Sequence, residues 1–424
     1  MSAFESSCSI DPEAYYFRSQ WRSYSVLYAI AQSPSDMLYL QSTWGVGGLP
    51  LVFTDLRGAI TVAANEQKAS GAVSQKNYSI QCLRGIAALF VVLYHASFYS
   101  EQYFGGFGWQ INFFGNFASL GVAIFFVISG LLMANLIQRS DPWKFLAHRV
   151  VRIYPSYLVA VAVWLSIDAF LGIHSIGFHL FSLMLVPAGQ RDYYLGVEWT
   201  LVFECSYYLA LFLIALIGWY RYLNRIALFW IAGIAAAPLF IGWNERLLYP
   251  IYLIWLAPAN VAFIGGLLIP SIARKIRIPV GTGIVALCIV VALGNSIANP
   301  MVARWTVGAI ATVIVLDIAR IDLPRRVLAG AFKLGDWSYA LYLCHCPCIW
   351  IVYRLWPSHL SAEAAWFAAV ATALGVSLGF GVFDVWMYRC LKKGVDSADR
   401  KRRERLVNIY ASVFLVASAI SLVI

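Results

Sequence analysis

Long apolar runs separated by short polar segments extend over most of the chain. About 20 apolar residues in a helix cross the hydrocarbon core of a bilayer, so each run predicts a transmembrane helix. The predicted spans are residues 80–100, 114–138, 154–172, 197–219, 226–243, 249–272, 279–298, 301–319, 334–356, 364–390 and 406–424. A shorter apolar stretch, residues 175–187, predicts a re-entrant or interfacial helix. We therefore expect an all-α, polytopic integral membrane protein of about 10–11 transmembrane helices.

The same pattern divides the chain into three segments. Residues 1–78 are moderately polar, contain no spanning run and predict an N-terminal extension whose role the sequence leaves open. They also lack the basic start and continuous apolar stretch of a signal peptide. Residues 79–393 hold most of the predicted spans and form the main transmembrane domain. Residues 394–424 predict a basic loop followed by an extra C-terminal transmembrane helix.

Composition and charge narrow the class of protein. Of the 424 residues, 61% are hydrophobic and 12% are charged, whereas soluble domains have about 45–50% apolar and about 25% charged residues. The formal net charge of +10 would also suit a nucleic-acid-binding protein, but the basic residues cluster in alternate gaps between apolar runs. These gaps are residues 139–152, 221–225, 274–277, 320–333 and 389–405. The alternation predicts a multi-pass protein in the lipid bilayer with cytoplasmic basic loops, and no nucleic acid as partner.

Cysteine usage gives no indication of a disulfide framework or a metal centre. The eight cysteines lie mostly inside apolar segments. Cys344, Cys346 and Cys348 occur at alternate positions beside His345. In a helix, such positions point in different directions around the axis and do not converge on one metal ion. We therefore predict that the protein binds no metal and holds no bound cofactor.

An arginine and a histidine lie eleven positions apart in the first apolar run. Ionisable groups in a bilayer are costly, so Arg84 and His95 are candidates for function. At about 100° per residue, eleven steps bring both side chains to the same helix face, about 16 Å apart along the axis. If Arg84 lies at the cytoplasmic surface, His95 lies near the middle of the membrane.

Two further titratable residues are predicted at a similar depth. His345 lies about 16 Å above the inner surface, and Glu204 about 20 Å above it on a descending helix. A neutral imidazole beside a carboxylate is the usual arrangement of a general base, which predicts that Glu204 orients or charge-balances His95. For His345, a core histidine bonded to a backbone carbonyl is an equally favoured interpretation.

The cytoplasmic end of the third predicted span carries a second group of candidates. Arg149 and Arg152 share one helical face and can grip phosphates, although the positive-inside rule or lipid headgroups explain such arginines equally well. Ser129, Trp199 and Tyr342 are further candidate site residues, with helix packing or an interfacial position as the favoured interpretation.

Five segments in order resemble the membrane O-acyltransferase superfamily often named acyltransferase family three. Its members include polysaccharide, lipopolysaccharide and nodulation-factor acetyltransferases. The segments are Leu83-Arg84-Gly85 through Tyr94-His95, Gly121 through Ser129-Gly130, His148-Arg149-Val150-Val151-Arg152, Trp199-Thr200-Leu201-Val202-Phe203-Glu204, and Leu334-Gly335-Asp336 through Tyr342-Leu343-Cys344-His345. The resemblance covers residues from about 80 to 390, so the domain 79–393 is interpreted as the acyltransferase domain.

The resemblance implies transfer of an acyl group, usually acetyl, from cytoplasmic acyl-CoA to a hydroxyl of a cell-surface or lipid-linked carbohydrate. It implies His95 as the catalytic histidine and Arg84 as its companion, with Arg152 and Glu204 at further matching positions. Arg149 and Arg152 would hold the donor phosphates. The expected location is the plasma membrane, which in bacteria is the inner membrane. A transporter or flippase for a glycan or anion is the alternative, and the oligomeric state stays open.

Overall fold

A computed structural model describes residues 78–172, 179–189, 191–242, 246, 248–293, 297–321 and 329–422. The α-helices are α1 (Tyr78–Tyr103), α2 (Gly108–Leu136), α3 (Pro142–Phe170), α4 (Leu180–Leu183), α5 (Trp199–Leu216), α6 (Leu223–Ala236), α7 (Pro238–Ile241), α8 (Asn260–Lys275), α9 (Thr282–Leu293), α10 (Pro300–Ile318), α11 (Ala329–Asp336), α12 (Ser338–Arg354), α13 (Ala362–Ser397) and α14 (Arg400–Ile420). Short 3-10 helices cover Trp219–Tyr222 and Ile254–Leu256. The predicted N-terminal extension, residues 1–78, lies outside the described residues except for Tyr78.

The all-α, polytopic membrane fold predicted from the sequence is confirmed. Seven described helical segments are long and apolar enough to cross a membrane, counting Trp219–Ile241 as one. The remaining four predicted spans contain α8, α9, α12 and α14, which are shorter or carry more charge. Each of the eleven predicted runs therefore contains a helix, although the helices differ in length.

Several helix boundaries differ from the predicted spans for local reasons. Helix α3 begins at Pro142, well before the predicted residue 154, because the Asp141 side chain accepts a hydrogen bond from the Lys144 backbone N–H and caps a polar first turn. Helix α8 begins only at Asn260, since Pro250 and Pro258 interrupt the preceding apolar stretch of the predicted span 249–272. The hydropathy pattern used to predict the spans contains no information about helix capping or about interruption by proline.

The described part of the stretch 175–187 is held by helix α3. It contains the one-turn helix α4. The hydroxyls of Tyr154 and Tyr157 on α3 donate to the backbone carbonyls of Met184 and Ser182 at 2.7 and 2.9 Å. These bonds satisfy irregular backbone inside the protein, as a membrane environment requires.

Helix α2 lies at the centre of the packing and contacts α1, α8 and α10. Small residues permit the closest approach, since a Cβ on Gly130 would overlap the Phe263 carbonyl of α8, and a Cβ on Gly266 would overlap the Val127 carbonyl of α2. On the other side, α12 packs against α1 and α13. This arrangement brings the polar residues of α1, α3, α5 and α12 toward one another.

Candidate active site

Two histidines from distant parts of the chain meet between α1 and α12. Nδ1 of His95 lies 3.2 Å from Nε2 of His345, and the ring centroids are 5.0 Å apart. The structure therefore brings together the two histidines for which the sequence predicts the same height. The hydroxyl of Tyr353, two turns farther along α12, donates to the Ala96 carbonyl of α1 at 2.8 Å and helps to hold the two helices in register.

Backbone carbonyls determine which nitrogen of each ring carries the proton. His95 Nδ1 lies 3.0 Å from the Val91 carbonyl oxygen, and His345 Nδ1 lies 2.9 Å from that of Leu341. A carbonyl oxygen only accepts hydrogen bonds, so this network assigns a proton to both Nδ1 atoms. In the neutral rings, His345 Nε2 then accepts from His95 Nδ1–H. The lone pair of His95 is consequently on Nε2, the nitrogen that is left for a reaction.

The two imidazoles differ in accessibility. His345 is fully buried, whereas His95 is only partly buried. Three aromatic rings enclose the pair, since Tyr94 and Tyr99 lie 5.2 and 6.3 Å from the His95 ring and Tyr342 lies 6.1 Å from the His345 ring, between centroids. His95 is thus the more accessible histidine of the pair, and its role in the reaction stays a prediction.

Tyr342 anchors α12 to the start of α5. Its hydroxyl donates to the Val197 carbonyl and contacts the Thr200 hydroxyl. The backbone at that point is fixed by Glu198, a fully buried residue whose carboxylate accepts from the Leu195 and Val197 N–H groups at 2.6 and 3.0 Å. Tyr342 therefore has a positional contact near the histidine pair, in agreement with the packing interpretation.

Trp199 lies between Glu198 and Thr200 at the start of α5 and makes packing contacts. Its ring lies 6.2 Å from that of Phe126 in an edge-to-face arrangement, and the Arg304 guanidinium is 5.7 Å from its centroid. Both are ordinary aromatic contacts inside a helix bundle. The structure gives Trp199 a packing environment, and its proposed site role stays a prediction.

Three potential metal ligands converge at the histidine pair. Ligand atoms of His95, His345 and Cys346 all lie within 4.8 Å of one another. The set differs from the Cys344, Cys346 and Cys348 series because α1 supplies one of its members. Imidazole and thiolate ligands suit Zn²⁺, but the Nδ1–H groups of both rings are engaged by carbonyls. The absence of a metal stays a prediction.

A close approach of α1 and α11 positions Arg84. The two helices touch at Gly85 and Gly335, where a Cβ on Gly335 would overlap the backbone carbonyl of Gln81. Gln81 consequently donates through Nε2 to Asp336 Oδ1 at 2.7 Å. Arg84 Nη1 then donates to Gln81 Oε1 at 3.2 Å. The carboxylate of α11 thereby orients the arginine of α1 through an intervening amide.

Glu204 lies among arginines. Its carboxylate accepts a hydrogen bond from the Tyr208 hydroxyl at 3.0 Å, and it interacts electrostatically with Arg84, Arg149 and Arg152. The structure therefore gives Glu204 different partners from those predicted, since its charge balances the arginines, whereas His95 contacts His345. The depth estimate placed Glu204 too close to His95 because it assumed that every span begins at the same height.

Ser129 joins this arginine cluster from α2. Its hydroxyl lies 3.4 Å from the Tyr208 hydroxyl, and both residues are buried. Tyr208 also lies beneath the guanidinium of Arg149, whose carbon is 5.9 Å from the ring centroid. The Nε atoms of Arg84 and Arg149 are buried without a hydrogen-bond partner among the described residues. Such donors are available to an anionic ligand.

Arg152 has a partner that the sequence did not reveal. Its Nη1 donates to both carboxylate oxygens of Asp384 at 3.0 and 2.9 Å, and Asp384 also accepts from the Ser156 hydroxyl. The guanidinium lies over the rings of Tyr339 and Tyr388, at 4.7 and 5.3 Å from their centroids. Asp384 is fully buried. At Nη1, Arg152 thus forms an ion pair that joins α3 to α13, and its predicted phosphate contact stays a prediction.

The candidate residues therefore form two groups at different heights. One group consists of His95 and His345. The other is the arginine cluster, which consists of Arg84, Arg149, Arg152, Glu204 and Ser129. By the rise of the helix, Arg84 and His95 are about 16 Å apart along α1. Two contributors missed in the sequence had a local signal. Tyr208 follows Glu204 by four residues, and Gln81 precedes Arg84 by three, spacings that share a helix face.

Comparison with known proteins decides the family. The family described as an acyltransferase domain, acyltransferase 3, matches residues 77–383. The chain belongs to the acyltransferase 3 family. It is therefore a membrane acyltransferase, as the resemblance of its motifs implied. The region matched by the acyltransferase 3 family includes both histidines and the arginine cluster, and ends one residue before Asp384.

Curated relatives agree with membership of the acyltransferase 3 family. The chain is 26% identical over 343 residues to acyltransferase MdmB of Streptomyces mycarofaciens, covering 71% of this chain and 86% of the relative. It is also 26% identical over 304 residues to the putative membrane-bound transacylase BcsY of Komagataeibacter xylinus, covering 63% and 72%. No solved structure matches the chain.

Proposed function

We propose that this acyltransferase moves an acyl group, expected to be acetyl, from acyl-CoA to a hydroxyl of a cell-surface or lipid-linked carbohydrate. The plasma membrane is its expected location, with the basic loops in the cytoplasm. The observation that carries the proposal is the partly accessible His95, whose Nδ1–H is held by Val91 and His345 and whose Nε2 presents the lone pair. An imidazole held in this way suits acyl transfer to an alcohol.

The arginine cluster supports an anionic donor. Arg84 and Arg149 have buried Nε donors, and Arg149 lies in the segment that the positive-inside rule assigns to the cytoplasm. Guanidinium groups bind phosphates through bidentate hydrogen bonds, and CoA carries its phosphates at the end opposite its thioester. The distance of about 16 Å between Arg84 and His95 along α1 suits a long donor that lies along the helix.

The balanced chemistry is a transfer between two heteroatoms. As a general base, His95 Nε2 takes the proton of the acceptor hydroxyl while the oxygen forms a bond to the thioester carbonyl carbon. The carbon–sulfur bond breaks, and the imidazolium returns the proton to the CoA thiolate. In a relay, Nε2 itself first forms the bond to the acyl carbon while the carbon–sulfur bond breaks and CoA leaves as the thiolate. The acceptor oxygen then forms its bond to the acyl carbon, the nitrogen–carbon bond breaks, and the hydroxyl proton passes to the CoA thiolate. His345 supports both routes by accepting from His95 Nδ1–H.

The test is transfer of radiolabelled acetyl from acetyl-CoA to envelope glycans in membranes that carry the protein. His95→Ala removes the reactive nitrogen and should lower the rate by about 10²–10⁴. His359→Ala removes an exposed histidine elsewhere on the chain and serves as the matched control. Transfer at the wild-type rate by a folded, inserted His95→Ala protein would contradict the assignment.

A second measurement separates the two routes. Purified protein is incubated with labelled acetyl-CoA in the absence of acceptor, quenched and analysed by peptide mass spectrometry. The relay predicts an acetyl group on the peptide that contains His95, and loss of that label when an acceptor is added. General-base catalysis predicts an unmodified peptide in a protein that is active once an acceptor is present.

A further inference from the structure

A polar cavity lies among the basic ends of α2, α6 and α8 and the 3-10 helix Trp219–Tyr222. Its volume is about 320 Å³. Its polar lining consists of Gln138, Tyr220, Arg221, Asn224, Ser271 and Arg274. Asn224 Nδ2 donates to Ser271 Oγ at 2.7 Å, and Arg274 Nη2 lies 3.5 Å from the same oxygen. Two guanidinium groups, an amide and a hydroxyl thus surround one space, a set of donors that suits a phosphate ester.

This cavity is separate from the arginine cluster of the active site. Ser129, which contacts that cluster, and Ala134, which lines the cavity, are five residues apart on α2. Five steps at about 100° per residue place them about 140° apart around the helix axis, so they face in different directions. The cavity also includes Leu267 of α8, the helix that packs against Gly130. Helix α2 therefore stands between the cavity and the cluster.

The surroundings of the cavity are those of a membrane interface. Leu216, Trp219 and Phe229, on neighbouring segments, are 41%, 56% and 78% exposed. In a chain that spans a bilayer, such exposed apolar and aromatic side chains face lipid tails and the headgroup region. Arg221 lies in the 3-10 helix Trp219–Tyr222 and Arg274 in the last turn of α8. Both belong to the basic segments that the positive-inside rule assigns to the cytoplasm, where the leaflet carries negative charge.

We propose that this cavity binds the phosphate of an anionic phospholipid headgroup. Arg221 and Arg274 neutralise the phosphate, Asn224 and Ser271 supply hydrogen bonds, and the acyl chains lie against the apolar side chains of the adjacent helices. The nucleotide end of the donor offers the same phosphate chemistry. It fits this cavity less well, because α2 separates the cavity from the catalytic centre and lipid-facing residues border it.

The test uses the full chain purified in detergent. Its thermal unfolding is measured while phosphatidylglycerol, phosphatidylcholine or CoA is added. We expect phosphatidylglycerol to raise the melting temperature more than phosphatidylcholine. In the double variant Arg221→Gln/Arg274→Gln, the half-saturating phosphatidylglycerol concentration should rise roughly 30-fold, the effect of two arginines beside an anionic lipid.

A matched double variant supplies the control. Arg139→Gln/Arg225→Gln also removes two exposed arginines from neighbouring positions outside the cavity lining, and it should retain the wild-type response. Equal losses in both double variants would overturn the proposal in favour of general charge attraction. Stabilisation by CoA that is lost only in the cavity variant would also overturn it, since the site would then belong to the donor.

A measurement on the wild-type chain keeps the proposal falsifiable if the cavity variant does not fold. Photoactivatable phosphatidylglycerol is cross-linked to the protein in vesicles, and the labelled peptides are identified by mass spectrometry. Cross-links should occur in the peptides that contain residues 220–224 and 267–274. Labelling confined to other segments would overturn the proposal. Neither outcome depends on acyl transfer, so the lipid site and the proposed function are tested separately.

Discussion

At the scale of single residues, His345 determines how His95 is presented. A rotating imidazole would expose either nitrogen, whereas a ring held at Nδ1 by Val91 and His345 keeps its Nε2 lone pair in one direction. His345 itself is fully buried and is held by the Leu341 carbonyl. It therefore acts as a positioning residue, and its contribution should be recovered by another side chain that accepts the same hydrogen bond.

We predict that His345→Ala lowers kcat by roughly 10- to 100-fold, less than the about 10⁴-fold loss that a wrong tautomer causes, because Val91 still holds the His95 proton. His345→Gln should recover much of this loss, since its amide oxygen can accept from Nδ1–H. The measurement is the rate of acetyl transfer at saturating donor, with thermal unfolding as the control for folding. Equal rates for the two variants would show that His345 only fills space.

The two arginines of α3 should behave differently when each is replaced by glutamine. Arg149→Gln removes a guanidinium with a buried free donor, so we expect KM for acyl-CoA to rise roughly 10-fold while stability changes little. Arg152→Gln leaves the buried Asp384 without its counter-charge, which should cost about 3–5 kcal/mol of stability. Thermal unfolding and donor titrations distinguish the two. A large KM effect with unchanged stability in Arg152→Gln would return that residue to the donor site.

The sequence could predict some of these residues and not others. Equal spacing from the predicted span starts placed His95 and His345 at the same height, whereas the contact between them is visible only in the structure. The pairing of Arg152 with Asp384 joins residues 232 positions apart, and helical periodicity carries no information about which distant helices touch. Glu204 was identified as an ionisable residue within an apolar span, where the structure places it partly buried, but its partners depend on the vertical offset of α5 relative to α1.

At the scale of helices, the glycine contact between α1 and α11 is the step that orients Arg84. The two helices approach so closely at Gly85 and Gly335 that Gln81 reaches Asp336. Any side chain at the contact must separate the helices and lengthen that hydrogen bond. The effect on catalysis would be indirect, through loss of the amide that accepts from Arg84.

Gly335→Ala is therefore expected to lower both the melting temperature and the transfer rate, because the added methyl group would overlap the Gln81 backbone carbonyl. Gly330→Ala is a matched control on the same helix, where an added Cβ has no atom within 4 Å. Alanine favours a helix over glycine by about 0.5–1 kcal/mol, so the control should be neutral or slightly stabilising. A Gly335→Ala protein that matches its control would contradict a tight helix contact.

Helix existence was easier to predict than helix length. Each apolar run contains a helix because only helices satisfy the backbone within one segment of a bilayer. The boundaries depend on capping and on proline, as the early start of α3 at Asp141 and the late start of α8 after Pro258 show. The boundary between the last two predicted spans, 364–390 and 406–424, also differs. Helix α13 continues to Ser397 and α14 begins at Arg400, so both extend into the predicted basic loop.

At the scale of the whole molecule, the proposed mechanism depends on orientation. Acyl-CoA must approach the arginine cluster from the side on which the basic loops lie. The loop between α13 and α14 lies among basic residues, whereas the loop between α12 and α13 lies at the opposite end of α13. Helix α13 has 36 residues, long enough to place these two loops on opposite sides of a bilayer about 30 Å thick.

We therefore predict opposite labelling of two cysteines introduced into these loops of a variant without native cysteines. Ser358→Cys, between α12 and α13, should react with a membrane-impermeant maleimide in intact cells. Ala398→Cys, between α13 and α14, should react only after the membrane is permeabilised, because the surrounding positive charges hold that loop in the cytoplasm. The reverse pattern would put the arginine cluster on the outer side. Cytoplasmic acyl-CoA could then not reach it, and the donor assignment would fail together with the topology.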